Sequence, residues 1–140
     1  MAEEILLDVR HLTQVFPLGR HGSVKAVDDL SFQIRRGEIF GLVGESGSGK
    51  STVARCVMSL YRPTAGEILF KGVNLCDRAA CRAHRTMLQR ERQLIFQDST
   101  SSLNQRLKVW DIIAEPMRIH GIRPPRGTYR DEAEFQMHYV

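Results

Sequence analysis

Eight consecutive residues, Gly44-Glu45-Ser46-Gly47-Ser48-Gly49-Lys50-Ser51, fit the pattern G-x-x-x-x-G-K-[ST]. They constrain the fold more than any other stretch. The pattern describes a phosphate-binding loop whose backbone N–H groups turn inward around an anion. A side chain would obstruct that approach, so Gly44, Gly47 and Gly49 suit their positions. The flanks agree with the motif. Ile39-Phe40-Gly41-Leu42-Val43 reads as a short buried strand. Residues 51–60 read as a helix with Val53, Ala54, Val57, Met58 and Leu60 on a mostly apolar face. A strand, a glycine loop and a helix in that order put the helix N-terminus, with its unpaired N–H groups, against the phosphates.

The chemistry follows from residue type. Lys50 supplies a mobile positive charge for the terminal phosphates. Ser51 offers a hydroxyl to Mg²⁺, which also takes phosphate oxygens. Thr52 is a second hydroxyl for the innermost phosphate. Glu45, Ser46 and Ser48 complete the loop, so residues 44–52 form the candidate triphosphate contacts.

Length and composition set bounds. The chain has 140 residues, 42% of them hydrophobic and 26% charged, with a net charge of +4. That is at most one ordinary globular domain. Five arginines lie between Arg78 and Arg92, and four more between Arg118 and Arg130. Asp77, Glu91, Asp131, Glu132 and Glu134 interrupt these runs, which reads as solvated helix faces rather than a nucleic-acid surface. The three cysteines, Cys56, Cys76 and Cys81, include no Cys-x-x-Cys pair. Cys76, Cys81 and His84 lack a fourth ligand and the usual metal spacing. An odd cysteine count fits a reducing compartment. The acidic start, Met1-Ala2-Glu3-Glu4, is not a signal peptide, and no stretch reaches the ~20 apolar residues of a membrane span. The expected location is the cytosol, or a membrane reached through a partner.

Along the chain, residues 5–16 and 24–34 read as strands, with Val27, Leu30, Phe32 and Ile34 inward on the second. Residues 17–23 form a loop, and Arg35-Arg36-Gly37-Glu38 a tight turn. Residues 67–75 read as a strand that turns at Gly72, and 77–90 as a surface helix or helical loop. Residues 92–96 read as a short buried strand, followed by a polar loop at Ser99-Thr100-Ser101-Ser102. Residues 109–120 read as a helix with Ile112, Ile113, Met117 and Ile119 on its apolar side, kinked or interrupted at Pro116 and stopped at Gly121. Thr128-x-x-Asp131 resembles a capping box and predicts a further helix.

Several of these segments together resemble the ATP-binding subunit of an ABC transporter. The residues that carry the resemblance are Lys25-Ala26-Val27-Asp28-Asp29-Leu30-Ser31-Phe32, Arg36-Gly37-Glu38, Arg62-Pro63-Thr64-Ala65-Gly66-Glu67-Ile68 and Ile95-Phe96-Gln97-Asp98, besides the glycine loop. Gly44-Glu45-Ser46-Gly47, Phe96-Gln97-Asp98 with Ser101-Ser102-Leu103-Asn104, Glu115-Pro116 and His120-Gly121 resemble the oligopeptide, dipeptide and nickel importer branch. Ser99 and Gln105 depart from it, since prolines are usual there.

The resemblance implies an α/β fold: a P-loop NTPase core with an antiparallel β-subdomain and the start of a helical subdomain. Residues 1–98 would form the N-terminal part of the ATP-binding core, and 99–140 the Q-loop and the incomplete helical subdomain. Phe16 would stack on adenine and Ala26 would line the same pocket. Gln97 would be the Q-loop glutamine, a catalytic group beside Lys50 and a Mg²⁺ ligand beside Ser51. The expected cofactors are ATP and Mg²⁺.

The expected partners are a second ATP-binding cassette, identical or not, and transmembrane permease subunits contacted through residues 99–121. An extracytoplasmic solute-binding protein would act indirectly, and no nucleic acid is involved. The subunit would lie on the cytoplasmic side of the cell membrane as a peripheral protein.

The family's Walker B acid, signature motif, D-loop and switch histidine are not found up to Val140. Leu94-Ile95-Phe96-Gln97-Asp98 comes closest to a Walker B run, but Gln97 interrupts it. The expectation is therefore the first part of a cassette, inactive and aggregation-prone alone. Two other readings stand beside it: a different P-loop ATPase or kinase, and a nucleotide-binding fragment or decoy without turnover.

Overall fold

The structure is a computed structural model that describes residues 4–19, 22–98 and 102–139. The polar loop at Ser99, Thr100 and Ser101, which also begins the 99–121 surface, lies outside the described residues. The chain divides into two compact units, Met1–Gln93 and Leu94–Val140.

The first unit is built on an antiparallel sheet. Strands β1 (Ile5–Pro17), β2 (Ser23–Arg35), β3 (Ala65–Phe70) and β4 (Val73–Asn74) lie in the order β2-β1-β3-β4. The β1–β2 hairpin closes through Leu18 N–H donating to the Gly22 carbonyl at 2.8 Å. β1 does not alternate cleanly. Val9 opposes Phe32 while Leu12 opposes Leu30, so β1 carries one extra residue there. His11 sits at that bulge with φ +51. A bulge shifts the phase of the strand, so the buried apolar side chains run Leu7, Val9 and then Leu12. Plain alternation carries Ile5 inward, yet Ile5 is exposed.

Helix α1 (Lys50–Val57) packs Val53 and Cys56 onto the sheet, where Leu12 and Ile68 are fully buried. The helix is shorter than the apolar run allows, and Leu60 lies exposed beyond it. The arginine-rich stretch forms two short helices, α2 (Arg78–Ala83) and α3 (Arg85–Glu91), which meet at His84. One of its arginines is not on a solvated face. Arg92 is half-buried, and its Nη1 donates to the Val57 carbonyl at 2.7 Å and to Ser59 Oγ at 3.1 Å. It thereby satisfies a carbonyl at the end of α1.

Two expected strands are not formed. Residues 39–43 and 92–96 run without ladder partners, and Ile39, Val43 and Ile95 are 99%, 90% and 91% exposed. A strand exists only by pairing its N–H and C=O groups with a neighbour. Among the described residues, no strand lies alongside either stretch.

The second unit contains α4 (Val109–Ile119) and α5 (Tyr129–Tyr139). α4 continues through Pro116 and ends at His120, with Gly121 at φ +61. Ala114 is its fully buried residue; Ile112, Ile113 and Met117 are half-buried, and Ile119 is exposed. The capping box forms. Asp131 Oδ2 accepts from Thr128 N–H at 2.8 Å, and Asp131 N–H donates to Thr128 Oγ1 at 3.2 Å. α5 buries Ala133 and Glu132, whose carboxylate accepts from Arg126 at 3.1 Å and from Gln136 at 2.8 Å. Among the described residues, no helix is long and apolar enough to cross a membrane.

Candidate phosphate-binding cleft

The glycine loop turns directly into α1. Gly49 is the N-cap residue at φ +88, and no side chain caps the helix. The first-turn N–H groups, which an α-helix leaves without intrahelical partners, therefore meet no side-chain cap. A Cβ on Gly49 would overlap the Ala26 carbonyl oxygen of β2, and one on Gly44 would lie 2.8 Å from Ser48 Oγ. Gly49 needs the absence of a side chain for close approach to backbone as well as for the turn, whereas at Gly44 the near atom is a rotatable hydroxyl.

Lys50 folds back over the loop. Its Nζ donates to the carbonyls of Gly44 at 2.7 Å and Glu45 at 2.5 Å, and to Ser48 Oγ at 3.1 Å. Three acceptors match the three protons of an ammonium. The charge is thus held where the loop curves. Ser51 lies exposed on the first turn of α1 and Thr52 is half-buried. An unblocked helix N-terminus, an ammonium and hydroxyls at one turn make a donor set suited to an anionic, oxygen-rich group.

The loop lines a cleft of about 480 Å³ together with β2, which contributes Ala26, Val27 and Leu30 opposite Gly44, Gly47 and Lys50. A second bulge places Ala26. Gln14 opposes Val27 and Val15 opposes Lys25, which leaves Ala26 as the extra residue. Bulges re-aim a strand locally, and this one brings the Ala26 carbonyl against Gly49. At the rim Lys25 donates to Asp28 at 3.0 Å.

The structure brings Ala26, Gly44, Gly47, Ser48 and Lys50 to one cleft. Glu45 and Ser46 are exposed and are not among its lining residues. Phe16 is one ladder step away, opposite Val24, half-buried and packed on Tyr61 rather than lining the cleft. Gln97 belongs to the second unit and is exposed there. Sequence reasoning missed Tyr61, and the bulge at Ala26 had no sequence signal.

Elsewhere, all three cysteines line a cavity of about 240 Å³ with Arg62 and Arg78. Burial, with Cys76 nearby, pushes the Cys56 thiol above its usual range. His84 Nδ1 lies 3.0 Å from the Ala80 carbonyl, so its ring is engaged with its own helix.

Residues 27–140 match the family described as ABC transporter. The chain belongs to the ABC transporter family. Among the relatives of this family member is the oligopeptide transport ATP-binding protein OppF of Bacillus subtilis. It is 53% identical over 117 residues, which is 84% of this chain and 38% of that protein. OppF of Streptococcus mutans is 44% identical over 115 residues, 82% of this chain and 37% of that protein. The chain spans roughly 35–40% of the length of the curated relatives it matches. Among solved structures, the ATP-binding cassette MJ0796, dimeric in a post-hydrolysis state with ADP and Pi, matches with a TM-score of 0.74 at 19% identity. That match covers 94% of this chain and 54% of that one. It shows the fold, the α/β cassette expected from the glycine loop and its lead-in. The loop and helices α1 to α5 fall within the matched ABC transporter residues; Phe16 and Ala26 precede them.

Proposed function

We propose that this chain is the nucleotide-binding part of an ABC importer subunit that energises uptake of peptides or similar small solutes through ATP binding and hydrolysis. One observation carries the reading: Lys50, the glycine loop and the uncapped start of α1 converge on a single cleft with Ala26. The relatives' names, oligopeptide transport ATP-binding proteins, support the solute class and the nucleotide.

Each group has a role in this reading. Residues 44–49 wrap the phosphates with backbone N–H groups. Lys50 exchanges its three loop acceptors for the terminal phosphates and steadies the charge that develops there. Thr52 binds the innermost phosphate, Phe16 stacks on adenine, and Ala26 borders the base. Ser51 and Gln97 would hold Mg²⁺, whose hard oxygen chemistry suits a hydroxyl and an amide oxygen. When bound, the ion neutralises phosphate charge. Gln97 also orders the surroundings of the attacking water. Residues 1–98 act as the nucleotide-binding core and 99–140 as the start of the helical subdomain. In the whole protein a second cassette completes the site, residues 99–121 dock on permease subunits, and the subunit sits at the cytoplasmic face of the cell membrane. A solute-binding protein acts through the permease.

The test is equilibrium binding of Mg-ATP to the full chain and to Lys50→Ala. Removing several charge-assisted hydrogen bonds weakens binding by about 10- to 100-fold. Affinity unchanged in Lys50→Ala overturns the phosphate site. Turnover above background that depends on Lys50 would overturn the expectation that this chain is inactive alone.

A further inference from the structure

Phe16 is the penultimate residue of β1, a position where an isolated ring has rotational freedom. It is not isolated. The Phe16 and Tyr61 ring centroids are 5.2 Å apart with 75° between planes. In such an edge-to-face pair one ring offers its edge, so at least one π-face of Phe16 stays unstacked by Tyr61. Tyr61 is in turn tied to the phosphate-binding helix. Its N–H donates to the Arg55 carbonyl at 3.2 Å, and the Arg55 guanidinium stands 5.7 Å from its ring centroid. The residues that follow are strapped to β1. Thr64 N–H donates to the Thr13 carbonyl at 2.9 Å, and Val15 N–H donates to Thr64 Oγ1 at 3.0 Å. Arg55 lies in the last turn of α1, the helix that begins at Lys50.

We infer that Tyr61 is a positioning residue for base recognition: it holds the Phe16 ring in a fixed orientation relative to α1, so that base stacking and phosphate binding are set by one rigid unit. The inference rests on the adenine reading of Phe16 given above and extends it to a residue that touches no nucleotide. Preorganisation of this kind lowers the cost of ordering the ring on binding. Its signature is selective. Loss of Tyr61 weakens the part of the affinity that comes from the base and leaves the part that comes from the phosphates. A residue that merely packs α1 on the sheet would alter both.

The experiment compares ATP with inorganic tripolyphosphate by calorimetry on the full chain, using wild type, Phe16→Ala, Tyr61→Ala and Tyr61→Phe. Tyr61→Ala is expected to weaken ATP about 3- to 10-fold and to leave tripolyphosphate within about twofold. Tyr61→Phe keeps the ring and restores ATP affinity. Equal loss for both ligands, or no loss for either, overturns the inference. If Phe16→Ala lowers the ATP-to-tripolyphosphate ratio and Tyr61→Ala does not, Tyr61 alone is misassigned. If Phe16→Ala leaves that ratio unchanged, the adenine reading of Phe16 fails and the Tyr61 inference falls with it.

Discussion

The two units of the chain reach order by different means. In the first, strands distant in sequence bring Leu12, Ile68, Val9 and Cys56 into a core with almost no solvent contact. In the second, α4 and α5 bury one alanine each, Ala114 and Ala133, and surround them with polar groups. Arg118 lies 5.7 Å from the Trp110 ring centroid and 5.5 Å from that of Tyr129. Arg126 stands over Phe135 and pairs with the buried carboxylate of Glu132. The first unit depends on apolar area removed from water, which is worth about 25 cal/mol per Å². The second depends on caps, ion pairs and cation–π contacts, each worth on the order of 1 kcal/mol. The lesson is that burial needs partners from far along the chain, whereas a capped helix pair is assembled largely from neighbours.

Two intrinsic probes separate the units: Cys56, buried in the first, and Trp110, the single tryptophan, in the second. The largest effect is expected from Ile68→Ala, which empties a fully buried site and costs about 2–5 kcal/mol. Denaturant midpoints read by Cys56 thiol reactivity fall, while the Trp110 fluorescence transition holds. A parallel shift in both would mean that the units unfold as one. Ala133→Leu tests the converse. Overpacking a fully buried alanine costs about 1–3 kcal/mol, and here the Trp110 transition moves while Cys56 reactivity does not.

A smaller effect, about 1 kcal/mol, is expected from Thr128→Ala at the start of α5. This one carries a pH signature. Hydrogen bonds from Thr128 hold the Asp131 carboxyl below its usual range. A depressed folded value means the stabilisation is complete above the unfolded value near pH 4 and is lost as pH falls through the folded one. Thr128→Ala should therefore flatten the acid-side loss of the Trp110 midpoint. An acid-side profile identical to wild type would remove the cap from the account. The smallest effect, about 0.5–1 kcal/mol, is expected from Asp8→Asn on β1. The hydrogen bond from Arg10, at 2.8 Å, holds the Asp8 carboxyl low. The penalty is present at neutral pH and vanishes in acid below the folded value, read by Cys56 reactivity. A penalty that persists there would point to packing instead of charge.

What was legible in the sequence was local. The β1–β2 hairpin, the turn at Gly72, the stop of α4 at Gly121 and the Thr128–Asp131 box each depend on residues a few positions apart or on an adjacent strand, whereas the interruption expected at Pro116 did not occur. The strands expected at 39–43 and 92–96 were not found, because their apolar pattern says what they would bury and not which strand would lie beside them. Arg92 read as part of a solvated run; only the fold puts Val57 and Ser59 within its reach. The site divides in the same way. The loop at 44–51 and the helix after it were plain from spacing, whereas the bulge that sets Ala26 against Gly49 depends on how β1 and β2 pair.

The sequence by itself determined the loop pattern on which the proposed phosphate site rests. Glycines before a lysine and two hydroxyls, opening a helix, specify a cradle for an anion through backbone geometry that those residue types alone permit. Tertiary structure decided what borders that cradle. Residues 24 to 45 positions apart, Ala26 beside Lys50 and Phe16 beside Tyr61 with Arg55 behind it, meet only after bulged strands and the strap of Thr64 have fixed their registers. Register is a property of paired strands, and no single stretch of this chain carries it.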